Sequence, residues 1–120
     1  MENRQSYKAQ KTLIIGAGPV GQIRFQREAR KNQNVIINSD HYKGTEIPAE
    51  KISKTAGLAS LEKQDKIYVC TQAGDDARTI ARLKQCVGPD SLIIVDRNGI
   101  GSEKAIAEAF PENAVARTII

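Results

Sequence analysis

The sequence predicts a single α/β domain wound around a mostly parallel sheet, and three observations predict it. Short runs rich in Ile and Val recur along the chain, with segments of helical length between them. The runs are continuous rather than alternating in polarity, as in strands covered on both faces. The first of them leads straight into three closely spaced glycines, in KTLIIGAGPVGQI at residues 11–23.

Taken in order, residues 1–10 form a polar tail and residues 11–120 the domain. Strands are expected at 13–15, 35–37, 67–70, 92–95 and 114–120, and helices at 20–31, 75–87 and 101–110, with a shorter one at 58–64. In the first helix, Phe25 and Glu28 stand where a small and an apolar residue would suit the sheet, so a strained contact is expected there. Asn32 and Asn34 suit a left-handed turn closing that helix. For the second helix, Asp75 or Asp76 offers an N-cap oxygen, and Ala77, Ile80, Ala81 and Lys84 share a face. Ser102 offers a cap for the third, which ends before Pro111. The segment 41–57, punctuated by Gly44, Pro48 and Gly57, reads as irregular.

A chain of 120 residues is long enough to bury one core, and 40% hydrophobic with 27% charged residues describes an ordinary globular composition. The net charge of +4 is spread from Arg4 to Arg117 among acids, which argues against a nucleic-acid partner. Cys70, Cys86 and the single His41 make neither a disulfide framework nor a metal site. The absence of a long apolar run and of an apolar core in the first residues leads to the expectation of a cytoplasmic protein with no membrane partner.

Between a strand and a helix, each glycine of GAGPVG has its own task. Gly16 permits the tight turn, Gly18 lets a pyrophosphate approach the backbone, and Gly21 lets the helix lie close to the sheet. Together with Ala17, Pro19 and Val20 they form a loop whose following helix presents unpaired N–H groups to phosphates. A turn without a ligand is the plainer reading of the same residues. The dinucleotide reading gains from Asp40, 19 positions after Gly21 at the end of the second strand, where a carboxylate accepts from ribose hydroxyls. The cofactor is therefore NAD or NADP, with a slight preference for NAD because Asp40 repels a 2′-phosphate; His41 and Lys43 beside it could instead meet one.

The second half, IYVCTQAGDDARTIARLKQCVGPDSLIIVDRNGIGSEKAIAEAFPENAVARTII, resembles the amino-terminal half of the ketopantoate reductases, the 2-dehydropantoate 2-reductases. That family joins a glycine fingerprint, a strand ending in a short Lys-Ala motif, a helix, and a strand running into an Asn-Gly-x-Gly turn before an acidic helix. The counterparts here are GAGPVG, TQA, the helix at 75–87, and RNGIG followed by SEKAIAEAFP. The resemblance implies a Rossmann-like fold and hydride transfer from NAD(P)H to a small 2-keto acid. It implies cofactor contacts at Thr71 and Gln72, and a role for Asn98 near both nicotinamide and substrate. Gln72 stands where the family has its active-site lysine, and Asp40 where many members have a basic residue. As residues alone, Asn98 with Gly99 also makes a turn dipeptide, and Gln72 a loop amide. The family's helical second domain, which completes the substrate site, is expected to be absent, leaving the chain by itself without catalytic competence. A second class of function, a stand-alone regulatory nucleotide sensor like those gating potassium channels and transporters, fits the same glycine loop. A homodimer is compatible with either.

Overall fold

The structure is a computed structural model that describes residues 10–71, 76–97 and 103–118. Its elements are β1 (Thr12–Ile15), α1 (Pro19–Ala29), β2 (Val35–Asn38), β3 (Ile52–Ser53), β4 (Gln64–Val69), α2 (Asp76–Cys86), β5 (Val87–Asp96), α3 (Lys104–Ala109) and β6 (Ala114–Thr118). Short 3-10 turns occupy Ala49–Lys51 and Thr55–Ser60. The six strands run β3-β2-β1-β4-β5-β6, and every neighbouring pair is parallel. The order reverses direction at β1, so a crevice opens beyond its carboxyl end, between β1 and β4.

The β1 sequence TLII is buried throughout because it lies at the middle of the sheet with a layer on each face. Leu13 and Ile15 point into one core with Ile67, Val69, Leu83, Ile93 and Ile106. Ile14 points into the other with Phe25, Val35, Ile37, Ile47 and Tyr68. This is the doubly wound architecture the continuous apolar runs predict.

Several local expectations are corrected. The buried residues of α2 are Thr79, Leu83 and Cys86; of the four expected to share a face, Ile80 is half-buried against the core, while Ala77, Ala81 and Lys84 are exposed. The larger apolar groups at Leu83 and Cys86 go inward and leave the small alanines outside, since burying them removes more apolar area from water. No described non-glycine residue adopts positive φ, so Asn32 and Asn34 make no left-handed turn. Instead the Asn32 backbone N–H donates to the Glu28 carbonyl, and its side chain bridges to Thr12 Oγ1 at 2.9 Å. The segment read as irregular contains β3, which the register Ile37↔Ile52 and Asn38↔Ser53 adds to the sheet edge. The helix expected at 58–64 is the 3-10 turn Thr55–Ser60, and Gln64 already belongs to β4.

Phe25 and Glu28 do not strain the first helix. Phe25 packs in the core beside Ile14 and Ile37. Glu28, only 1% exposed, accepts from the Tyr68 hydroxyl at 2.9 Å and lies 3.2 Å from Lys66 Nζ. The tail at residues 1–9, the candidate caps Asp75 and Ser102, and residues 119–120 of the last expected strand lie outside the described residues. Among the described residues, no helix is long and apolar enough to cross a membrane, and no acidic, His or Cys group could hold a metal.

Candidate functional site

The crevice is built at the carboxyl ends of β1 and β2. β1 ends at Ile15, and Gly16 turns the chain with φ 105°, a conformation natural to glycine alone. Its N–H donates to the Asn38 carbonyl at 3.1 Å, tying the loop to the end of β2. α1 then starts with Gly18 as N-cap and Pro19 in its first turn, where a missing N–H costs nothing. Gly21 is buried against Gly16 so closely that a methyl group there would lie 2.8 Å from the Gly16 carbonyl carbon. Folding alone accounts for both of these glycines.

Gly18 is different. Its φ of −74° is open to any residue, and a side chain there would meet no atom of the described residues within 4 Å. Nothing among the described residues demands glycine at this position. The cap makes no side-chain hydrogen bond, so the Val20 and Gly21 N–H groups of the first helical turn are left pointing out of the helix end.

Beside this helix end lies a cleft of about 400 Å³ lined by Gly16 and Ala17, by Asn38 to His41, by Thr55, and by Arg78, Ala81, Arg82 and Gln85 of α2. Asp40 reaches its rim after β2. Its Oδ1 accepts from the Thr55 N–H at 2.7 Å, and its carbonyl accepts from Lys54 Nζ at 3.1 Å. The Thr55 amide, with a smaller contribution from the nearby Arg82 charge, holds the Asp40 carboxyl below its ordinary value. One carboxylate oxygen is thus already committed to closing the loop, and a positive charge faces the group.

Of the residues expected from sequence, Gly16, Ala17 and Asp40 line this cleft. Gly18, Pro19, Val20 and Gly21 form the helix start that borders it. Thr71, half-buried, lies beside the glycine turn, where a Cβ on Gly16 would fall 3.3 Å from its Cγ2; its hydroxyl is bonded to that of Thr79 at 2.9 Å and its carbonyl accepts from Arg97 Nη1 at 3.2 Å. Arg97 also donates to Asp76 Oδ1 at 2.6 Å and so fastens the end of β5 to the start of α2. Gln72 and Asn98 lie outside the described residues.

The structure adds Asn38, Arg78, Arg82 and Gln85, which sequence reasoning missed. Asn38 is fully buried, donates to the Ser53 carbonyl at 2.9 Å, and leaves its Oδ1 without a partner among the described residues. A polar residue closing the run VIIN was its one visible signal. The spacing of Arg78, Arg82 and Gln85 along α2 shows them sharing a helix face, but not that this face meets the glycine loop.

A second cleft, of about 430 Å³, opens at the opposite edge among Lys11, Gln33, Asn34, Lys51, Glu62 and Gln64. It lies at the amino ends of the strands, away from the crevice where open α/β sheets bind their ligands.

The family model for ketopantoate reductase PanE/ApbA matches residues 12–120. No curated protein sequence matches the chain. Among solved structures, the chain is similar to 2-dehydropantoate 2-reductase from Methylococcus capsulatus, with 27% identity and a TM-score of 0.71, over 91% of this chain and 40% of that one. It is also similar in fold to the dimeric ketopantoate reductase from Staphylococcus aureus, with 20% identity and a TM-score of 0.70, over 92% of this chain and 39% of that one. The chain therefore spans about two-fifths of the length of these structures. The family match covers nearly the whole chain, and the chain belongs to the ketopantoate reductase family.

Proposed function

We propose that these 120 residues are the dinucleotide-binding part of an enzyme that reduces 2-dehydropantoate with NAD(P)H. The observation that carries this is Gly18, whose missing side chain is required by none of the described residues and which caps a helix end with unpaired N–H groups. Those groups would hold the pyrophosphate, and a Cβ at position 18 would occupy the space it needs. The orphaned Asn38 Oδ1 gives the cleft a further acceptor for a ligand donor. A bound reduced nicotinamide supplies the hydride, while the protein's part is to bind and orient it. Asn98 and Gln72 are carried to the nicotinamide and substrate end by the family resemblance. The NAD preference expected from Asp40 draws no support from its surroundings, since the carboxylate is tied to Thr55 and faces Arg82.

The reduction itself belongs to proteins more than twice this length, so the 120 residues alone are proposed to bind dinucleotide without turning over the keto acid. The homodimer and the cytoplasmic location belong to the same proposal. Calorimetric titration of NADH and NADPH into the chain and into Gly18→Val tests it. The expected result is binding to the unsubstituted chain and its loss in the variant, with a stability cost of only about 1 kcal/mol for a poorer N-cap. A folded, unsubstituted chain that binds neither dinucleotide contradicts the proposal.

A further inference from the structure

Arg78 and Arg82 lie four residues apart on α2, and both line the cleft opposite Asp40. Like charges at this spacing repel along a helix. Neither is relieved by an ion pair among the described residues, and the Nε of Arg82 is buried without an acceptor. Ala81, between them in sequence, lines the same cleft. Two guanidinium groups that line one cleft without an ion pair among the described residues form a site for a doubly charged oxyanion.

The position of the pair selects the anion. The glycine loop and the start of α1 border one side of the cleft, where a pyrophosphate would lie, and Asp40 marks the ribose side. A phosphate carried on the adenosine ribose would therefore fall between Asp40 and α2. We infer that Arg78 and Arg82 bind the 2′-phosphate of NADP, so that preference for the phosphorylated cofactor comes from α2 and not from the loop after β2.

Asp40 does not veto this arrangement. Its Oδ1 is engaged by the Thr55 N–H, and the Arg82 charge acts on the same carboxylate, so a phosphate arriving there meets more positive than negative charge. Unlike an aspartate standing alone after β2, this one helps to order the loop that carries the cleft wall.

The inference rests on the dinucleotide reading, and adenosine fragments separate the two. Calorimetry compares 2′,5′-ADP with 5′-AMP on the unsubstituted chain, on Arg82→Gln and on Arg82→Lys. The unsubstituted chain is expected to prefer 2′,5′-ADP by about tenfold or more, the advantage of a charge-assisted contact. Arg82→Gln should remove most of that preference while keeping its affinity for 5′-AMP, and Arg82→Lys should restore part of it. Thermal melts establish that each variant is folded. Equal affinity for the two fragments overturns the inference and leaves dinucleotide binding standing. An equal fall for both fragments in Arg82→Gln also overturns it, by assigning Arg82 to the adenine or the 5′-phosphate. If the folded chain binds neither fragment nor NADPH, both proposals fail.

Discussion

Gly21 lies so close to Gly16 that a methyl group on Gly21 would collide with the Gly16 carbonyl oxygen. The atoms in the way are backbone, and the Gly16 N–H is already bonded to Asn38, so neither side can give way cheaply. Gly21→Ala is therefore expected to destabilise the chain by about 1–3 kcal/mol or more, as overpacked sites do. Gly18→Ala, whose side chain meets open space, should cost about 1 kcal/mol at most. Urea unfolding of the two variants checks the contrast, and equal losses would contradict the packing described.

Two carboxylates buried on the α1 side of the sheet tie stability to pH. Burial alone would raise the pKa of Glu28, but the Tyr68 hydroxyl and the Lys66 ammonium outweigh it, and the net shift is downward. Burial opposes ionisation of Asp96 in the same way and is outweighed by the Arg24 bond at 2.7 Å and by Thr118. Groups held low in the folded state contribute stability that is fully present above their ordinary values, roughly pH 4 to 4.5. That contribution is lost as pH falls through the lower folded values. The expected result is a steep fall in unfolding free energy below about pH 4.5. In the Glu28→Gln, Asp96→Asn double variant, the chain is less stable at pH 7 but its acid limb is flatter. Parallel acid limbs in the two proteins would show that these groups do not carry the effect.

The fold was legible where periodicity and backbone chemistry were enough. The continuous Ile and Val runs placed the central strands, and the glycine spacing located the turn at Gly16 and the contact at Gly21. β3 escaped because two residues, Ile52 and Ser53, carry no periodicity and are strand only through their pairing with Ile37 and Asn38. Helical spacing groups Ala77, Ile80, Ala81 and Lys84 on one face of α2 but does not say which face turns inward; tertiary packing buries Thr79, Leu83 and Cys86. Glu28 looked like a fault in the helix because its partners, Tyr68 and Lys66, lie about 40 residues away in β4. The site was half legible for the same reason. A motif shows which backbone a phosphate approaches, but the side chains across the cleft arrive from α2 by tertiary packing.

Dinucleotide binding at the carboxyl edge of the sheet is read residue by residue by amide chemical-shift mapping. A uniformly 15N-labelled chain is titrated with NADPH, and the shifts are assigned residue by residue. The largest shifts are expected on residues 16–21, on Asn38 to His41, on Thr55, and on Arg78 to Gln85. Shifts concentrated instead on Lys11, Gln33, Lys51 and Gln64, at the amino edge, or no shifts at a saturating concentration, would contradict it.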